Sequence, residues 1–236
     1  MFSLARIPII EELTKGPIPP GSNILVEFDS ASQWQNASIF MAAGWLHEGR
    51  RVGYTAIGQS PAKVRSRLKR YNVAAEQLEK DEKLAILDAY SATLGKKSVE
   101  TYNAESLKVQ DLSIIFSQVV MKLQHEPQLL RIIDNGSVLA RYNDEKSFVE
   151  FVVSRVIPVA PAIESSAVIG IISGLHSEWV YKNIEASVDG IIDFRLDEAE
   201  GELRDLIRIR TMHDVGYDKH WRQLKIAENF EITLEE

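Results

Sequence analysis

The sequence predicts an α/β fold: a three-layer sandwich with a mostly parallel central sheet and antiparallel strands at its C-terminal edge. Two observations predict it. Short, almost wholly apolar runs alternate with amphipathic stretches between residues 24 and 186, which is the pattern of strands buried on both faces and of the helices that cover them. Beyond residue 190 the apolar period becomes two, the mark of strands that pair in succession with polar turns between them. No internal repeat or low-complexity linker interrupts the chain, so residues 1–236 read as one domain.

The elements follow in order. Ile24 to Phe28 is a strand, introduced by the Pro-Pro-Gly-Ser punctuation at 19–22. After the polar stretch Asp29 to Ser38, apolar Ile39, Phe40, Ala43 and Leu46 fall at near-helical spacing from Asn36 onward, and Gly49 is the stop. Val52 to Ile57 is the next strand. Ser60 caps a basic amphipathic helix with Pro61 in its first position, and Lys63, Arg65, Arg67, Lys69 and Arg70 surround Val64 and Leu68. Leu84 to Asp88 is a strand ending in a carboxylate. Ser106 to His125 is a helix with Leu107, Ile114, Ile115, Val119 and Leu123 on its stripe. Leu129 to Ile133 is an interior strand closed by Asp134, Asp144 to Val156 a helix, Val168 to Ile172 a strand and Ser177 to Ala186 a helix. Gly190 to Leu196, Leu203 to Met212 and Trp221 to Ile226 are the strands of the antiparallel edge. Trp45, Trp179 and Trp221 read as core residues.

Composition removes several function classes. The 236 residues carry 27 Lys and Arg against 34 Asp and Glu, a net charge of −7, with 45% hydrophobic and 26% charged residues. That balance suits a globular protein and argues against one that coats nucleic acid or anionic lipid. With no cysteine, disulfides, thiolate metal sites and cysteine nucleophiles are excluded. Met1 to Ile10 lacks the long apolar core of a secretory leader, and Val168 to Leu175 is too short to cross a bilayer. The expectation is a soluble cytoplasmic protein.

In such folds ligands gather at the carboxyl ends of the strands, so the first strand-to-helix loop is where chemistry is sought. A phosphate cradle needs glycines to let successive amides converge, a lysine to neutralise the anion and a hydroxyl to hold magnesium. Between Phe28 and Asn36 there is neither glycine nor lysine, and Glu27 and Asp29 would repel a triphosphate.

From the Leu13 region to Ile226 the chain nevertheless resembles the KaiC-like branch of the RecA-type ATPases. The resemblance rests on the GPIPPG phrase at 16–21, Ser60-Pro61, Leu87 to Ser91, and Arg131 to Asn135 followed by Leu139 to Tyr142. His176 to Glu178, Val188 to Ile192 and Asp218 to Arg222 continue it. It implies a RecA-like sandwich and carries with it a phosphate loop, Gly-x-x-x-x-Gly-Lys-Thr. An ungapped placement spans Phe28, Asp29, Ser30, Ala31, Ser32, Gln33, Trp34 and Gln35. Phe28 and Gln33 then stand at the glycines, Trp34 at the lysine and Gln35 at the magnesium-binding threonine. Gly58 and Gln59 stand at the family's two catalytic glutamates, and Thr211-Met212-His213 at its Lys-Met-Arg strand. Asp134 alone matches, at the acid that follows an interior strand.

The resulting expectation is a non-catalytic KaiC-like domain with a regulatory or scaffolding role, no cofactor and no resident metal. The alternatives are a module that still binds a nucleotide or another small ligand, and a weak ATPase; only these use ATP and magnesium. The resemblance also implies a homo-oligomer, while the protein partner is not named by the sequence. Plainer readings stand beside the sharper ones. Trp34 fills the loop rather than stacking on a base, and Asp134 accepts loop amides rather than a metal. His213, Asp214, Asp218 and His220 are solvated rather than zinc ligands, Ser137 is not a hydrolase nucleophile, and the helix from Lys63 to Arg70 is a solvated face screened by Glu76, Glu79, Lys80 and Asp81.

Overall fold

The computed structural model describes residues 7–124, 128–199, 201–228 and 230–235. Met1 to Arg6 and His125, the far end of the helix expected from Ser106, lie outside them. Ten strands occur among the described residues: β1 Asn23–Phe28, β2 Arg51–Ala56, β3 Leu84–Asp88, β4 Tyr102–Asn103 and β5 Leu129–Ile133, then β6 Ser166–Ile172, β7 Gly190–Ala199, β8 Glu202–Met212, β9 Arg222–Ile226 and β10 Ile232–Glu235. The helices are α1 Ile10–Leu13, α2 Trp34–His47, α3 Pro61–Arg70, α4 Ala75–Lys80, α5 Tyr90–Thr93, α6 Val109–Leu123, α7 Glu145–Phe151, α8 Val159–Ala162 and α9 Glu178–Glu185.

All ten strands form one sheet in the order β10-β9-β8-β7-β1-β6-β5-β2-β3-β4. From β7 to β4 every pairing is parallel, and from β7 outward through β8 and β9 to β10 every pairing is antiparallel. The expected mostly parallel sheet with an antiparallel edge is therefore present. Strand β7 serves both parts, pairing parallel with β1 and antiparallel with β8. Alternation along each strand divides the core in two. Residues such as Val26, Tyr54, Ile132 and Val168 face α1 to α4, whereas Leu25, Leu129, Ile133 and Ile169 face α6, α7 and α9.

Most elements lie within two or three residues of their expected ends, and the departures have physical causes. Helix α2 begins at Trp34, two residues early, because Asn36 and Ala37 both donate their amides to the Gln33 carbonyl. Gly49 ends that turn at φ +76°. Helix α6 begins at Val109, and its buried side is Val109, Leu112, Phe116, Val119, Val120 and Leu123; Ile114 is 60% exposed. Several overlapping stripes satisfy the 3.6-residue period on so apolar a helix, and packing against β2 and β3 selects one of them. The helix from Asp144 loosens into a π turn at Val152–Val156. Trp45 is buried, but Trp179 is 48% exposed on α9, and Trp221 is half-buried beneath the Arg208 guanidinium, 4.3 Å from its ring centroid.

A charged cluster crosses the junction between the parallel and antiparallel parts. Glu27 of β1 and Asp193 of β7 are adjacent in register and nearly buried. Arg210 of β8 makes a two-pronged contact with Glu27, both distances 3.0 Å, and also reaches Asp193 and Glu185, while Arg208 donates to Asp193 at 2.8 Å. Burial pushes the Glu27 carboxyl up, against the downward pull of Arg210. Removing the arginine leaves Glu27 buried without its main partner and Asp193 with Arg208 alone. Arg210→Ala is expected to cost about 3 kcal/mol at pH 7, read by chemical denaturation, with the loss shrinking as the pH falls and the Glu27 carboxyl, already pushed up by burial, takes up a proton.

Candidate functional site

The parallel strands β1, β6, β5 and β2 end together, and the loops leaving them meet at Asp134 and Trp34. Strand β1 ends at Phe28, and the loop after it is tied to the β7–β8 hairpin. Asp29 donates its amide to the Phe194 carbonyl at 2.9 Å, and its carboxylate accepts the Leu196 amide at 2.9 Å. The Gln33 amide donates to Asp205 at 3.1 Å, and burial pushes that carboxyl up. Within the loop the Ser32 amide donates to the Asp29 carbonyl, and the Gln33 side chain accepts from Asn36 at 2.6 Å. Ser30 and Ala31 are exposed at the tip.

Trp34, the first residue of α2, is wholly buried. Its rings lie 5.8 Å from Phe28 and 5.6 Å from Phe194, the latter edge to face. Its Nε1 donates to the Asp134 carbonyl at 2.6 Å. The indole lies against Gly170 in the middle of β6, where a Cβ would stand only 2.5 Å from Nε1. A glycine within a strand otherwise rich in valine and isoleucine is thus the counterpart of the tryptophan.

Asp134 is buried at the end of β5. Its Oδ1 accepts the amides of Ile57 and Gly58 at 2.9 and 3.1 Å, holding the loop after β2, while Oδ2 has no partner. Loss of water raises its pKa to about 6, against the lowering effect of those amides. Gly58 packs against Asn135 and Gln35, with 3.3 and 3.4 Å from a notional Cβ to their side chains. Gln59 is buried; its Nε2 donates to the Tyr54 hydroxyl at 3.0 Å, and its Oε1 accepts from Arg67 at 2.9 Å. Tyr54 continues the chain to Ser38, 2.9 Å away, and burial holds its phenol well above the ordinary value.

The structure therefore brings Phe28, Trp34, Gln35, Gly58, Gln59 and Asp134 together, turns Asp29 and Gln33 toward the hairpin and leaves Ser30 and Ala31 at the surface. The sequence reading missed Tyr54, Ser38, Arg67, Asn135, Asp205 and Gly170. Gly170 could have been found from its place inside an apolar strand. Arg67 could not, because the basic helix reads as uniformly solvated. In fact Arg65 clamps Glu79 and Glu100, Arg67 turns inward, and Arg70 lies over Phe230. Ser137 is buried, its Oγ accepting the Ile172 amide and lying 2.7 Å from His176 Nε2. His220 and Asp218 contact each other at 2.6 Å, and among the described residues no group of three acidic or histidine side chains is arranged to hold a metal.

A sheet of this order, covered on both faces, places the chain in the RecA-type class of α/β folds. Its fold matches that of a KaiC-like protein from Pyrococcus horikoshii OT3 with a TM-score of 0.76 at 18% identity, over 98% of this chain and 96% of the other. The chain belongs to the KaiC family of ATPases, whose family model matches residues 5–235. Relatives described as UPF0273 proteins include one from Thermotoga maritima, 22% identical over 94% of this chain and 91% of its own length. Another, from Pyrococcus furiosus, is 26% identical over 89% and 85%. No described helix is long and apolar enough to cross a membrane.

Two outcomes test the geometry. Gly170→Ala is expected to cost ~1–3 kcal/mol by crowding the indole, and the penalty should fall in a Trp34→Leu background; additive losses in a double-mutant cycle would show that the two residues are not coupled. For Asp134, a folded pKa above the ordinary 3.8 means that the folded state binds the extra proton, so its contribution to stability falls as pH rises from about 4 to about 6. Asp134→Asn should therefore be more stable than the unaltered protein at pH 7, by on the order of 3 kcal/mol, and the difference should vanish below pH 4 in thermal unfolding.

Proposed function

We propose that this KaiC-like domain does not hydrolyse ATP and acts through protein contacts, as a regulatory or scaffolding component. The observation that carries this reading is Trp34, buried against Gly170 and Asp134 in the space beneath the first loop. The residues present do not fit a magnesium-bound triphosphate there. No lysine or arginine lies in the loop itself, the amides of Asp29, Ser32 and Gln33 are already used, and the indole fills the concavity. Each missing charge-assisted contact forfeits roughly 1.5–3 kcal/mol of phosphate binding. Each missing preorganised donor costs about 10²–10³ in rate. Gln59, at the position of a catalytic glutamate by the resemblance, is held between Tyr54 and Arg67 and has no basic oxygen to take a proton from water.

One observation favours a second reading, a module that binds a small polar ligand without turning it over. Asp134 Oδ2 and Asn135 Oδ1 are buried without partners beside the half-buried Arg67 network. Titration calorimetry with ATP and ADP in magnesium separates the two, and no heat at micromolar to millimolar ligand is expected. Phosphate release by micromolar protein is expected to equal the blank. A magnesium-dependent turnover that disappears in Asp134→Asn would instead establish an active ATPase. The homo-oligomer implied by family membership is tested by light scattering, with a monomer or dimer expected as readily as a ring.

A further inference from the structure

The outer face of α3 is cationic and short of counter-charge. Lys63, Lys69 and Arg70 are exposed there. Of the acids expected to screen them, Glu79 is drawn aside, because it joins Glu100 in clamping the Arg65 guanidinium. Asp81 holds the Gln77 side chain at 2.8 Å instead. Among the described residues neither Lys63 nor Lys69 has an ion-pair partner.

Since Glu100 is bound to Arg65, the loop from Leu94 to Glu100 lies beside α3, and it adds Lys96 and Lys97, both exposed and likewise unpaired among the described residues. The loop is pinned. The Lys96 amide donates to the Ser91 carbonyl at 3.0 Å, and Ser98 Oγ donates to Asp88 at 2.6 Å while accepting the Glu100 amide at 3.1 Å. Val99 is nevertheless 99% exposed and Leu94 51%. An aliphatic side chain held outward on a fixed backbone loses little freedom when a partner covers it.

One end of this face is already covered, by a segment of acidic and aromatic character. The turn between β9 and β10 carries Glu228, Phe230 and Glu231; the Phe230 ring centroid lies 4.4 Å from the Arg70 guanidinium, and the Phe230 carbonyl accepts the Tyr71 hydroxyl at 2.9 Å. The chain as a whole carries −7, which repels a polyanion at long range, and residues 94–100 include no ring to stack on a base. Both facts favour a polypeptide over a nucleic acid.

We infer that the face formed by α3 and the Leu94 to Glu100 loop docks an acidic segment of another protein, one that interleaves carboxylates with large apolar side chains as the β9–β10 turn does. Its carboxylates meet Lys63, Lys69, Lys96 and Lys97, and an apolar side chain covers Val99. The inference supplies the partner's chemistry for the reading that this domain acts through protein contacts, and it rests on that reading.

The test is fluorescence anisotropy of the full chain with a labelled synthetic peptide repeating Glu-Glu-Leu-Glu-Glu-Phe, beside the same peptide with Gln in place of Glu. The acidic peptide is expected to bind at least tenfold more tightly than the neutral one. Lys96→Glu combined with Lys97→Glu should weaken it at least tenfold and Val99→Ser about threefold, whereas Lys182→Glu, an exposed lysine on α9, should leave it unchanged. Lys63→Glu combined with Lys69→Glu repeats the charge reversal on a different element, so the question is decided even if the loop variant fails to fold by near-ultraviolet circular dichroism. Absence of binding, equal affinity for the two peptides, affinity that survives these reversals or Val99→Ser, or a loss as large in Lys182→Glu would overturn the inference. So would tighter binding of a single-stranded oligonucleotide of equal charge. Phosphate release measured on the same protein keeps the two readings apart: turnover together with peptide binding would end the non-hydrolysing reading and leave this face standing, and absence of both would do the reverse.

Discussion

The contact between the Trp34 indole and the bare backbone of Gly170 governs the carboxyl end of the sheet. A tryptophan at the first turn of α2 would ordinarily project into the space under the loop from β1, and only the missing side chain on β6 lets it sink completely. Once there, its single donor finds the Asp134 carbonyl, and its faces find Phe28 and Phe194. Four elements are thereby joined through one side chain: β1, β6, β7 and the end of β5. Filling such a space with a large ring contributes through area and dispersion, and the buried N–H avoids a penalty by having its partner.

Asp134 completes that arrangement from the other side. Its carbonyl receives the indole while its carboxylate gathers the Ile57 and Gly58 amides, so the loops after β1 and β2 are referred to one residue. The β7–β8 hairpin adds a third tie through Asp29 and Asp205. In a RecA-type fold these loops surround the place where ligands are held. Here they are fastened to one another by groups of the chain itself, and Gln59, Tyr54, Ser38 and Arg67 extend the fastening as a line of hydrogen bonds.

Much of this was legible before the structure. Strands buried on both faces announce themselves as apolar runs, and Ser60 with Pro61 announces a helix start, which the Ser60 hydroxyl accepting the Lys63 amide bears out. The phrases that resemble the KaiC-like branch were specific enough in their order for the family to be found. Short elements such as α4, α8, β4 and β10 escaped because a handful of residues carries too little periodicity to rise above turns. The inward turn of Arg67 escaped for another reason. Its partners, Gln59 and Gln35, come from the loop after β2 and from the first turn of α2, and no local pattern separates it from Lys63 or Lys69, which remain exposed. The α6 stripe was misjudged at Ile114 because tertiary contact, not period, chooses among equivalent faces.

The fit between Trp34 and Gly170 also makes the effect of a substitution at either position depend on which is made first. A side chain at position 170 crowds the indole beneath the loop, whereas a glycine there tolerates a smaller residue at position 34 at the cost of a void. The two changes are therefore not interchangeable in time. A side chain is accommodated on β6 without crowding only after the ring at position 34 has been made smaller, whereas the ring can be trimmed first at the cost of a void alone.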